Sequence, residues 1–121
     1  MGLSHRKLCE RAREKWDAAS KALCDWAIAN GYGNVRRSDL ETALANEPEG
    51  LRLLSADTQT SAALRKAEDD AVSAGRAWRG TFGMIFWYSP SEARRFAASR
   101  RKHGSHDPNS ALWRVAQAYP P

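Results

Sequence analysis

No stretch of this chain reaches the run of about 18 consecutive apolar residues that a membrane-spanning helix needs, so no transmembrane segment is expected. The N-terminal stretch MGLSHRKLCERAREKW has basic residues but no apolar block behind them. It does not read as a secretory signal, and a cytoplasmic location is expected. Cysteine is scarce: only Cys9 and Cys24 occur. On one helix with a rise of about 1.5 Å per residue they stand about 22 Å apart, far beyond the reach of a disulfide. Each reads as a small, partly buried apolar residue. Isoleucine occurs twice against 21 alanines, and arginine outnumbers lysine 14 to 5. That bias matches GC-rich codons and points to a high-GC bacterium or its phage as the source.

Several chemistries also lack their signatures. There is no glycine-rich phosphate loop and no strained turn presenting a nucleophilic serine. Glu68, Asp69 and Asp70 are consecutive, so on a helix they point to different faces and make poor partners for acid–base catalysis; they read as a solvated face. His103 and His106 could share a metal, but no third or fourth ligand lies near and Asp107 is explained as a helix cap, so they read as loop histidines. His5 stands too isolated to carry a role. No enzyme activity, cofactor or metal is expected.

What remains describes a helical domain. With 121 residues, 42% of them apolar, the chain is long enough for one domain with a core, and residues 1–121 are read as a single helical domain. From Ser4 to Asn30 the apolar positions Leu8, Ala12, Trp16, Ala19, Leu23 and Ala27 recur at three or four, which is one face of a helix about 40 Å long. Asn30-Gly31 is its stop. Ser38 and Glu41 have capping-box spacing before a short helix to about Asn46, and Asn46-Glu47-Pro48-Glu49-Gly50 breaks it. Leu51, Leu53 and Leu54 form a small apolar knot.

A second long segment begins near Asp57, with Leu64, Ala67, Ala71, Ala74, Trp78, Phe82 and Ile85 at helical spacing. A continuous helix to Tyr88 is the favoured expectation, although Gly75, Gly80 and Gly83 each cost it about 1 kcal/mol. The rival is a helix to about Arg79 followed by a buried strand from Phe82 to Tyr88. Ser89-Pro90-Ser91-Glu92 carries an N-cap, a first-turn proline and a capping-box glutamate, opening a helix from Ala93 to His103. A last helix follows Asp107-Pro108. The expected fold is therefore all-α: an elongated bundle of two long antiparallel helices plus about three short ones. Trp16, Leu23, Leu64, Trp78, Phe82 and Ile85 are expected to meet between the long pair.

Charge is unevenly distributed. Residues 1–70 carry 11 basic and 12 acidic side chains, while residues 71–121 carry eight basic and two acidic, a net of +6. Arg94, Arg95, Arg100, Arg101 and Lys102 gather on the expected basic helix. Arginine pairs bidentately with phosphate, so this cluster is the candidate surface for a DNA or RNA backbone, or for an acidic host-protein surface. A helix-turn-helix over Ser38–Leu54 is disfavoured, because its turn is long and acidic. The most hydrophobic window includes Phe82, Met84, Phe86, Trp87 and Tyr88. It is expected mainly in the core, and otherwise as a partner-facing patch. The composition thus fits a small non-catalytic accessory protein of a bacterial or phage system that binds nucleic acid through the basic helix. An adaptor or inhibitor docking on a host protein through the basic helix and the aromatic patch fits as well. No membrane partner is expected, and a homodimer is a further candidate assembly.

Overall fold

A computed structural model describes residues 3–87 and the positions 91, 92, 95, 98 and 99. Its elements in chain order are α1 (His5–Ala29), a 3-10 turn (Arg37–Asp39), α2 (Leu40–Ala43), α3 (Pro48–Ser73), β1 (Ala77–Arg79), a turn at Thr81–Gly83, and β2 (Ile85–Trp87). The described residues are mostly helical, with a small two-stranded sheet. No helix among the described residues is long and apolar enough to cross a membrane.

The ends of α1 follow local rules. Ser4 Oγ accepts the Lys7 N–H at 3.2 Å and caps the first turn. At the other end Gly31 takes φ 85°. The Tyr32 N–H reaches back to the Ala27 carbonyl at 2.7 Å and the Gly31 N–H to that of Ile28 at 3.4 Å, the paired bonds of a Schellman stop. Tyr32 then stacks on Trp26, with ring centroids 5.8 Å apart and planes 8° from parallel.

The described residues fall into two compact units. The first, Cys9–Arg65, has its core at Leu23, Leu40, Leu44 and Leu54, with Trp26, Tyr32, Val35, Leu51 and Leu53 packed around it. Leu44 is completely buried, which contributes about 1.5–3 kcal/mol. The expected capping box at Ser38 does not form. The 3-10 turn occupies Ser38, the N-cap falls on Asp39 without a side-chain cap bond, and the helix starts at Leu40. Arg37 is drawn instead to the buried Asp57 carboxylate on α3.

Helix α2 ends at Ala43, three residues short of the expected Asn46, and Pro48 opens the next helix. It is the first residue of α3, where its missing N–H costs nothing. Helix α3 therefore begins nine residues before the expected Asp57 and takes in the leucine knot, because Leu51, Leu53 and Leu54 pack into the Leu44 core. Both cysteines are free thiols, Cys9 buried and Cys24 exposed rather than partly buried.

The second unit, residues 3–8 and 66–87, corrects the all-α expectation. Helix α3 stops at Ser73 and does not continue to Tyr88. Gly75 takes φ 71°, its N–H bonds the Val72 carbonyl at 3.0 Å, and the Arg76 N–H bonds that of Ala71 at 2.9 Å. This is again a Schellman stop, and it ends the helix several residues earlier than either sequence reading allowed. The chain then folds back as an antiparallel hairpin pairing Ala77 with Trp87, Trp78 with Phe86 and Arg79 with Ile85. Trp78 and Phe82 consequently do not enter the expected core: both are exposed.

Candidate functional site: the aromatic hairpin

Side chains alternate across a strand, so pairing Trp78 with Phe86 places both on one face of the ribbon. Their neighbours Ala77, Arg79, Ile85 and Trp87 are buried or half-buried, which makes the Trp78–Phe86 face the solvent face. The two rings lie 4.8 Å apart at 41° and remain 41% and 43% exposed. An aromatic cross-strand pair of this kind contributes about 0.2–1 kcal/mol to the ribbon.

The connection Gly80–Met84 adds two more exposed apolar side chains, Phe82 and Met84. The Gly80 N–H donates to the Met84 carbonyl at 2.7 Å, and the Gly83 N–H to that of Gly80 at 3.2 Å. The ring of Phe86 lies over Gly80: a Cβ there would stand 2.6 Å from Phe86 Cε2, so any larger residue would displace the ring. At the tip Phe82 takes φ 59°, ψ 21° and is 98% exposed, and Met84 is 55% exposed. A left-handed backbone costs a phenylalanine about 1–2 kcal/mol. The exposed ring recovers none of this by burial, so it serves nothing in the fold itself.

The opposite side of the ribbon is anchored. Arg79 meets Asp69 Oδ1 at 2.6 Å and Glu68 Oε1 at 3.8 Å, and Asp70 pairs with Lys66 at 3.0 Å. The consecutive acids that read as a solvated face are thus partly committed to holding the hairpin against α3. The guanidinium of Arg6 sits 5.9 Å from the Trp87 ring centroid, a cation–π contact with the start of α1.

The sequence-predicted residues divide accordingly. Phe82, Met84, Phe86 and Trp87 are brought together on the hairpin, the first three exposed and Trp87 half-buried. Tyr88 lies outside the described residues. Of the expected basic helix, Ser91, Glu92, Arg95, Ala98 and Ser99 are described, each helical and exposed. Arg94, Arg100, Arg101 and Lys102 lie outside the described residues, as do the Ser89 cap, the His103–Asp107 loop and the last helix. Sequence reasoning missed Trp78 as a surface ring and Arg79 as the anchor. The available signal was two short runs, Ala77–Arg79 and Ile85–Trp87, bracketing Gly80 and Gly83, which is hairpin spacing.

The unit Cys9–Arg65 has a separate cleft of about 250 Å³, lined mainly by Leu23, Ala27, Ile28, Tyr32 and Val35. Arg37 and Asp57 at its edge are already bonded to each other. Among the described residues no group of three His, Cys, Asp or Glu side chains is placed to hold a metal ion. Comparison with protein-family models, curated proteins and solved structures finds no match, so the functional reading rests on this chain's own residues.

Proposed function

We propose that this chain is a small non-catalytic accessory protein that binds nucleic acid, with phosphates met by Arg94, Arg95, Arg100, Arg101 and Lys102. The observation that carries the reading is that the exposed rings Trp78, Phe82 and Phe86 lie in the half of the chain that holds its whole positive excess. Rings and cations together supply the two terms such binding uses: stacking on bases and release of counterions from phosphates. A bacterial or phage origin and a cytoplasmic setting belong to the same reading.

The test is charge reversal. Arg94→Glu, Arg95→Glu, Arg100→Glu and Arg101→Glu, made together, should leave the thermal midpoint within a few degrees and abolish binding to labelled DNA or RNA. Each lost phosphate contact should reduce the slope of log affinity against log salt by about one unit. A folded variant that binds at full strength removes the basic cluster from the mechanism.

A second reading has its own support. Met84 beside Phe82 and Phe86 is a combination enriched in the cores of protein interfaces. On that reading the chain is an adaptor or inhibitor docked on an acidic host protein. Pull-down from host lysate separates the two, since capture of a protein partner survives nuclease treatment.

A further inference from the structure

Resting on the nucleic-acid reading above, we infer that the ligand is single-stranded and that its bases stack on the outward face of the hairpin. The first argument is the chemistry of that face. A β-ribbon that reads duplex DNA points hydrogen-bonding side chains at base edges. Here the face offers Trp78 and Phe86, with Met84 next in the same alternation and Phe82 exposed at the tip: three rings and a thioether. Only the indole N–H of Trp78 can donate a hydrogen bond, and none of the four carries a charge. Such a surface has one donor for base edges and three flat apolar rings that can take the face of a base. Bases in a duplex already cover each other's faces, whereas a single strand exposes them.

The second argument is the tip. Phe82 is presented bare, on a left-handed backbone, four residues from Trp78 and four from Phe86. Backbone strain at an unburied ring is not repaid by packing, which makes Phe82 a candidate contact for a ligand. The third is charge complementarity. Residues 88–121 carry six basic and two acidic side chains, and Arg94 follows Trp87 by seven residues. A fully extended chain of that length spans at most about 25 Å, so Arg94 stays within that distance of the end of β2. A polyanion stacked on the rings is thus within reach of the cations that neutralise its phosphates.

The test uses the full chain and fluorescence anisotropy. Labelled oligothymidylate and oligouridylate of about 12 nucleotides fall within the range of single-strand site sizes, and a DNA duplex of equal length is the control. Single strands should bind at least about tenfold tighter than the duplex, and comparing the two oligomers separates DNA from RNA. Phe82→Ala and Phe82→Leu should each weaken single-strand binding by about 5- to 150-fold, the range for losing one stacked base. Phe82→Trp should restore it. Thermal melting of each variant checks that the fold is intact. Equal binding of duplex and single strand, with Phe82→Leu unaffected, overturns the inference while leaving the nucleic-acid reading in place. Binding lost equally in Phe82→Trp and Phe82→Leu overturns stacking specifically. No binding of any oligonucleotide at low salt overturns both and leaves the face to a protein partner.

Discussion

Trp16 donates its indole N–H to Asp57 across 3.2 Å, joining α1 to α3 through a side chain that is almost fully buried. The other carboxylate oxygen accepts from Arg37 at 2.7 Å, and the same guanidinium nitrogen reaches Thr58 Oγ1 at 3.2 Å. The two partners of Asp57 should therefore be unequal in stability. Trp16→Phe removes one neutral donor and should cost about 1 kcal/mol. Arg37→Ala strips a buried carboxylate of its counter-charge and should cost about 2–3 kcal/mol, less than a wholly buried pair because Arg37 is 54% exposed. Urea denaturation of both variants checks the order, and a larger loss in Trp16→Phe would contradict this arrangement.

Gly50 sits in the first turns of α3, where glycine is a poor helix former, because the indole of Trp26 lies against it. An added Cβ would stand 2.7 Å from Trp26 Cη2 and 3.1 Å from Leu44 Cδ1. Gly50→Ala should thus lose about 1–3 kcal/mol by overpacking, despite the gain of about 1 kcal/mol in helix propensity. A stabilised Gly50→Ala protein in thermal melts would show that Trp26 does not pack there.

The hairpin rings should separate into one that supports the fold and one that does not. Phe86 covers Gly80 and packs on Trp78, so Phe86→Ala should lower stability and loosen the ribbon. Phe82→Asn replaces an exposed ring by a residue that tolerates the left-handed backbone. It should leave stability unchanged or raise it by up to about 1 kcal/mol. Amide exchange across Trp78 and Phe86 in the two variants reads the difference directly.

Tyr32 should mark alkaline stability. Partial burial first, and then the hydrogen bond to Glu47 and its negative charge, raise its phenol above the ordinary value of 10.0. The folded state therefore holds the proton after the unfolded chain has released it. This contribution is fully present below pH 10, and it is lost as pH rises from there through the folded value. The thermal midpoint of the native chain should fall more steeply above pH 10 than that of Tyr32→Phe. Parallel curves for the two proteins would remove Tyr32 from the linkage.

The readable parts of this protein are those governed by neighbours three to five residues apart. The apolar stripe of α1 and the stop at Gly31 predicted that helix to within a residue at each end, because helix periodicity and the left-handed cap are local physics. Pro48 marked a real boundary for the same reason. Residues 77–87 were ambiguous, since Trp78, Phe82 and Ile85 fit a helical stripe as well as a broken one. Pairing of Trp78 with Phe86 across the turn, over Gly80, decided for the hairpin and turned an expected core into an exposed aromatic face.

Composition and order alone therefore determined that the described residues are mainly helical, that the positive excess lies in the second half of the chain, and where the first helix starts and stops. Tertiary structure alone decided that Asp57 would be met by Trp16 from 41 residues away and by Arg37 from 20. It also decided that Glu68 and Asp69 would hold Arg79, and that Phe82 would stand in solvent. A helix turn or a cap is settled by the residues beside it, whereas a buried carboxylate or a ribbon face takes its partners from wherever the chain returns.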